Sequence, residues 1–316
     1  MVINSSKHKI SIIIELYYCK IMQNKIKRLF NKACDDFDLI HGGDRILVGF
    51  SGGKDSLTLL HFLHLVREAY QNQENNFTLI AAHIKFSNLP YSVDLNYLSK
   101  FCSDRNIEFH IIEDNIREDF LKSGTCVHCS RFRRAKLMEL SRLHNCNKLA
   151  LGHHLDDVVS TLLMNMTQHG KFTGMAIKLD ITVGEMKYPL TIIRPLCYVP
   201  EDDVKAFIKE SNFVSETCRC PWGDIGYRSK TLEFVKFLSK KDEKVRMNFF
   251  ASQFNLSDKI MTSDVPQSLV VHKKKDQKQK HKNSMNQSNQ INDEISNDEQ
   301  RKEESKDIED IGNNLM

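Results

Sequence analysis

From Arg45 onward the chain alternates short apolar runs with segments of helical period: RILVGF (45–50) and then 55–70, FTLIAAHI (77–84) and then 93–105, EFHII (108–112) and then 129–144, KLALGH (148–153) and then 155–168. Runs this short read as strands, the stretches between them are long enough for helices, and a strict strand–helix alternation joins parallel strands through crossovers. A parallel sheet has to be covered on both faces. The expected fold class is therefore α/β, a doubly wound parallel sheet. Between Gly170 and Pro189 the pattern predicts a loop or short hairpin, then a strand in LTIIRPL (190–196) and a helix opening at Pro200 in PEDDVKAFIKESN. Residues 229–255 read as an amphipathic C-terminal helical segment.

The two ends read differently. ISIIIELYYC (10–19) follows Lys7 and Lys9, but Glu15 interrupts it and no small-residue cleavage site follows, so it is not expected to be a signal peptide. It is also too short to span a bilayer, and no membrane association is expected. MQNKIKRLFNKACDDFDLI, opening at Met22, has an amphipathic helical pattern, which makes residues 1–21 an expected non-core extension. Beyond about Asp264 the chain becomes a Lys, Gln, Asn, Ser and Glu mixture, and 261–316 is expected to be a disordered charged tail around a working unit of 22–260. The net charge of +4 is too small to demand a polyanionic partner, although clustered cations would suit one. Nine cysteines are too few for a disulfide scaffold in a chain of 316 residues. A reducing compartment, the cytoplasm, is expected.

FSGGKDS (50–56) stands where the first strand should turn into the first helix. A glycine-rich turn at a helix N-terminus points several backbone N–H groups at one spot, and the helix dipole adds positive potential there. Ser51 and Ser56 add hydroxyls, Lys54 adds a cation, and Gly52 and Gly53 allow close approach of an anion. The plainer reading is a tight turn in which Ser51 or Asp55 caps a helix. Six such residues together favour phosphate. The spacing fits neither G-x-x-x-x-G-K-[ST] nor G-x-G-x-x-G, so γ-phosphate chemistry and dinucleotide binding are not supported.

GTCVHCSRFRRAKL (124–137) holds Cys126 and Cys129 two residues apart, and then a helix with Arg131, Arg133, Arg134 and Lys136. One C-x-x-C is half of a metal site, a redox dithiol or two buried thiols. The second close pair, Cys218 and Cys220 in SETCRCPWGD, suggests a shared centre: zinc on four cysteines, or an iron–sulfur cluster on three. Arg131 and Arg134 are spaced i, i+3 and could meet nucleic-acid phosphates, a reading no stronger than that of a solvated basic face. Cys19, Cys34, Cys102, Cys146 and Cys197 occur singly in apolar or helical contexts and read as core residues or inert thiols.

The S-G-G-K-D-S loop resembles that of the PP-loop ATP pyrophosphatases, whose fold is adenine nucleotide α-hydrolase-like. Together with LGHHLDD (151–157), C-x-x-C-S-R-x-R-R, NMTQHGKFTGM, IRPL and EFVKFLSKKDEKVRMNFFAS, the stretch from about Lys25 to Ser257 closely resembles the tRNA 2-thiocytidine synthetase (TtcA) family. The resemblance implies an ATP-dependent sulfurtransferase that adenylates C2 of a tRNA cytidine, position 32, and replaces its oxygen with sulfur. It implies ATP, Mg2+ and a [4Fe–4S] cluster as cofactors, with an iron free of cysteine able to hold a hydrosulfide. As partners it implies tRNA, a sulfur donor such as a cysteine desulfurase, and a second copy in a homodimer.

By the same resemblance Ser51, Gly52, Gly53, Lys54, Asp55, Ser56 and Gly152 bind ATP, and Lys54, Asp55, Asp156 and Asp157 are the catalytic candidates. Cys126, Cys129 and Cys218 hold the cluster, with Cys220 as the alternative third ligand, because this chain has C-x-C where the family has C-x-x-C. Arg131, Arg133, Arg134, Lys171 and Arg194 are the RNA-binding candidates. From the residues alone, Asp156 and Asp157 are equally helix-starting carboxylates, His153 and His154 could complete a metal site, and Arg194 could sit in a structural ion pair. Two rival functions stay open: a related 2-thiouridine synthetase, and a nucleotide-binding iron–sulfur or RNA-binding sensor without turnover.

Overall fold

The structure, a computed structural model, describes residues 3–70, 76–88, 93–115, 126–184, 187–216 and 227–255, without the side chains of 3–18 and 126–128. Six strands form one sheet: β1 (Arg45–Gly49), β2 (Thr78–Phe86), β3 (Glu108–Asp114), β4 (Lys148–Ala150), β5 (Lys178–Val183) and β6 (Tyr188–Ile193). Their order is β3-β2-β1-β4-β6-β5. All neighbours are parallel except β5 and β6, so the region expected to be a loop or hairpin supplies an antiparallel edge strand. The helices are α1 (Ile3–Asp36), α2 (Lys54–Ala69), α3 (Leu95–Ser103), α4 (Cys126–Leu143), α5 (Leu155–His169), α6 (Glu201–Glu210), α7 (Tyr227–Ser239) and α8 (Val245–Ser252).

Side chains alternate across the sheet because the strand period is two. Ile46, Val48, Leu79, Ala81, Ala150 and Ile193 enter a large core with α1, α2, α3, α5 and α6, in which Phe30, Phe62 and Phe207 are fully or almost fully buried. Each such ring contributes about 1.5–3 kcal/mol relative to exposure. Leu47, Ile80, Ala82, Ile84, Leu149 and Ile192 face the other way, against Leu137 and Leu140 of α4. Among the described residues α4 alone covers that second face, so the double winding is uneven.

Two details differ from the pattern. The stretch 229–255 is two helices, α7 and α8, separated by a turn at 240–244. Helix α1 runs without a break through Met22, and among its described side chains Met22, Ile26 and Phe30 pack into the core. The segment 261–316, expected to be disordered, lies outside the described residues. At the amino end of the strands, a buried Lys148–Asp44 pair at 2.6 Å ties β4 to the chain entering β1, and Lys148 also donates to the Leu39 carbonyl.

Candidate active site

From β1 the chain moves to β2 and β3 on one side and later to β4 and β6 on the other, so the order reverses between β1 and β4. Connections leave such a point in opposite directions and open a crevice at the carboxyl ends of the strands, where ligands of open α/β sheets bind. Residues 50–56 follow β1, and residues 151–154 follow β4. Both candidate motifs therefore meet at the switch point.

Helix α2 begins with Gly53 at its N-cap, a residue with no side chain to occupy the first-turn N–H groups. Neighbouring α3 shows the usual arrangement, with Asp94 accepting from Asn96 and Tyr97 N–H. Leaving α2 uncapped keeps an anion seat open at its positive end. Ser51 and Ser56 hydroxyls lie 3.1 Å apart beside it, the first accepting from Gly53 N–H and the second donating to the Gly53 carbonyl. Gly52 has φ of +82°, and a Cβ there would come 2.7 Å from Val93; only glycine suits both constraints. His83, buried on β2, pairs through Nδ1 with the Phe50 carbonyl and anchors the entry to the loop.

The charges next to the loop are matched. Lys54 Nζ lies 2.9 and 2.8 Å from the two Asp55 oxygens and 3.4 Å from Glu201 on α6. Burial lowers the Lys54 pKa, but Asp55 and Glu201 more than offset that and hold it above the usual value. Glu201 also meets Lys205 and Lys236 at 3.0 and 3.1 Å. Burial pushes its carboxyl up, while those lysines and Lys54 bring it down to about 2. Asp156 is fully buried; it accepts from the Glu201 N–H at 2.7 Å and faces Arg246 of α8 at 2.9 Å. Its carboxylate thus helps to hold the start of α6. Asp157 accepts from the His154 N–H and from Arg228 of α7. Burial raises the Asp157 pKa, and His154, Arg228 and His153 more than reverse this. His154 is buried with Nε2 3.7 Å from Asp55 and 3.6 Å from Asp157, so it is bracketed by carboxylates of both motifs. Gly152 lies against the loop itself, since a Cβ there would be 3.0 Å from the Asp55 carbonyl carbon and 3.2 Å from the Ser56 nitrogen.

Across the crevice the balance changes. One cavity is lined by Ser51 of the loop, His153 after β4, and Ser130, Arg133 and Arg134 of α4. Arg194, after β6, is 5% exposed, donates to the Ala176 carbonyl, and leaves Nε unpartnered. Burial, then Arg134 nearby, lowers its pKa to about 10. Among the described residues no carboxylate pairs with Arg194 or Arg134, so the structural ion pair that would explain Arg194 is missing. His153 Nδ1 is also buried without a partner, and burial pulls that imidazole to about 4. A desolvated cation without a counter-charge is costly, and an incoming anion would supply one.

The remaining candidates divide. Arg131 is exposed, while Arg133 and Arg134 turn inward, so the i, i+3 pair does not share one surface. Lys171 is exposed just beyond the end of α5. Cys126 opens α4, although its side chain is not described, and Cys129 is half-buried one turn later. Cys218 and Cys220 lie outside the described residues. Glu216, which precedes them, donates its N–H to the Gly52 carbonyl at 3.0 Å. The described chain thus reaches the loop at Glu216, and a three-thiolate donor set is chemically suited to an iron–sulfur cluster. Four of the five single cysteines behave as expected: burial raises Cys34 and Cys102 to about 12 and Cys146 to about 11, and lifts Cys197 as well. Glu201, Arg228, Arg246 and His83 escaped sequence reasoning as site residues, because they lie on other strands and helices and only the fold brings them to the site.

An uncapped phosphate loop at the switch point of such a sheet defines a PP-loop protein, and the family model for the PP-loop domain matches residues 19–215. Among curated proteins, the tRNA-cytidine(32) 2-sulfurtransferase of Geobacter metallireducens is 34% identical over 73% of this chain and 90% of its own length. That of Geotalea uraniireducens is 34% identical over 75% and 93%, and that of Syntrophotalea carbinolica 39% over 62% and 74%. The chain belongs to this tRNA-cytidine(32) 2-sulfurtransferase family. Among solved structures, the U34-tRNA thiolase NcsA of Methanococcus maripaludis, with its [4Fe–4S] cluster, shares the fold at TM-score 0.59 and 23% identity, covering 76% of this chain and 81% of that one.

Proposed function

We propose that this chain is an ATP-dependent tRNA-cytidine 2-sulfurtransferase that activates C2 of cytidine 32 by adenylation and exchanges its oxygen for sulfur. The observation carrying this reading is that the open phosphate seat and the helix bearing Cys126 and Cys129 border the same cavity. Mg2+ and ATP enter at the loop. Pyrophosphate rests on the first-turn amides of α2, the Ser51 and Ser56 hydroxyls and Lys54, which stabilise its charge as it leaves. In that complex Lys54 shifts from Asp55 to phosphate, and Asp55 becomes available to Mg2+. Arg194 and Arg134 face the α-phosphate, and the neutral His153 contributes a hydrogen bond at the reacting centre. Asp157 orients His154 and Arg228, while Asp156 acts as a positioning residue through Glu201.

Cys126, Cys129 and Cys218, or Cys220 in place of the last, hold the [4Fe–4S] cluster, which supplies the sulfur chemistry when bound. Arg131, Arg133 and Lys171 contact the tRNA backbone. A cysteine desulfurase is the proposed source of sulfur, the cytoplasm the proposed location, and a homodimer the proposed assembly. Residues 22–260 are the proposed working unit. Among the described residues no helix is long and apolar enough to cross a membrane.

The test is mass spectrometry of tRNA nucleosides from cells lacking this chain, restored with the native protein or with Cys126→Ala. Return of 2-thiocytidine with the native protein only is the expected result. Loss of a thiouridine instead would put the chemistry on another base, and unchanged thionucleosides would favour a sensor.

A further inference from the structure

A second cluster of ligating groups lies at the opposite end of the sheet, independent of the thiolation site. Edge strand β3 alternates faces: Phe109 packs into the larger core, while Ile112 packs with Leu137, Leu140 and Cys146 under α4. Glu108 and His110 share the Ile112 face by the same period. They lie at the amino end of β3, whereas the phosphate loop follows the carboxyl end of parallel β1. His144, immediately after α4, comes down onto the same spot.

Both imidazoles turn a nitrogen toward one carboxylate oxygen. His110 Nε2 is 2.8 Å and His144 Nδ1 4.0 Å from Glu108 Oε1, the ring centroids are 4.1 Å apart, and the three ligand atoms lie within 4.8 Å of one another. Two imidazoles and a carboxylate are the donor set of borderline divalent ions, zinc above all. Bonds of about 2.0–2.2 Å to a tetrahedral zinc set its ligand atoms roughly 3.4 Å apart, so His144 has to close on Glu108 and His110 to open from it, each by less than about 1 Å. Glu108 is exposed and the histidines are half-buried, which leaves room for that movement and for water in the fourth position. The buried Cys146 thiol turns to the His144 carbonyl.

We infer that Glu108, His110 and His144 form a binding site for a zinc-class divalent cation that clamps β3 to the end of α4, the helix whose first turn carries Cys126 and Cys129. The measurement is zinc titration by calorimetry, with Co2+ absorption in parallel, on full-length protein carrying alanine at Cys126, Cys129, Cys218 and Cys220 so that thiolates do not compete. Circular dichroism checks that this protein and its derivatives are folded. One equivalent of zinc should bind, and His110→Gln or His144→Gln, conservative changes at half-buried positions, should each weaken binding at least tenfold. The Co2+ spectrum should lack thiolate charge-transfer bands. Zinc affinity unchanged by both substitutions, or no binding tighter than millimolar, would overturn the assignment. Because the readout is metal affinity, it stands or falls separately from tRNA thiolation.

Discussion

The two walls of the switch-point crevice solve opposite electrostatic problems. On the α2 side buried charges meet partners: Lys54 with Asp55 and Glu201, Asp157 with Arg228, Asp156 with Arg246. On the α4 side Arg134 and His153 line the cavity, and neither Arg134 nor nearby Arg194 has a carboxylate partner among the described residues. The first wall is organised for stability. The second stores an unmet demand for negative charge, as a surface built for a transferring phosphoryl group does.

Substitutions that separate stability from turnover test this division. Asp156→Ala should have the largest effect, about 3–5 kcal/mol of stability, because it strips a counter-charge from Arg246 and a cap from α6. Urea denaturation measures it, and a loss under about 1 kcal/mol would break the contrast. Arg194→Met should do the reverse, leaving the urea midpoint unchanged or raised while lowering kcat/KM by roughly 100-fold. Parallel losses of stability and activity would move Arg194 to the matched wall. Gly152→Ala should cost about 1–3 kcal/mol by pressing on the loop backbone, and raise KM for ATP more than it lowers kcat.

The pH profile gives the smallest effect, and the two walls give separate windows. Glu201 has its carboxyl depressed from 4.5 to about 2, so its stabilisation is present above pH 4.5 and is lost as pH falls toward 2. His153 sits at about 4 instead of 6.5. Between those values the unfolded chain binds the proton and the folded chain does not, so stability falls as pH drops from 6.5 to 4. Glu201→Gln should flatten the lower window and His153→Asn the upper one. A variant that flattened both would show the walls to be coupled.

Local pattern revealed most of the frame. RILVGF, FTLIAAHI, EFHII and KLALGH each overlap a strand found in the sheet, since a buried parallel strand needs a continuous apolar run. The phosphate loop was legible because its chemistry lies within six consecutive residues. The matched wall was not: Asp156 finds Arg246 ninety positions later, and Glu201 reaches Lys54 across 147, contacts that exist only once the strand order is fixed. The division of 229–255 was missed because the turn at 240–244, KKDEK, carries no glycine or proline to mark it.

Glu216 N–H bonded to the Gly52 carbonyl has a thermodynamic corollary. The same peptide groups shape the phosphate seat and anchor the chain that leads to Cys218. Any adjustment of Gly52 on nucleotide binding would therefore be felt at Glu216, two residues before Cys218. Reciprocity then requires that if nucleotide changes the affinity for metal by some factor, metal changes the affinity for nucleotide by the same factor. With Cys218 as a cluster ligand, as proposed, a protein starved of iron would have a different threshold for ATP.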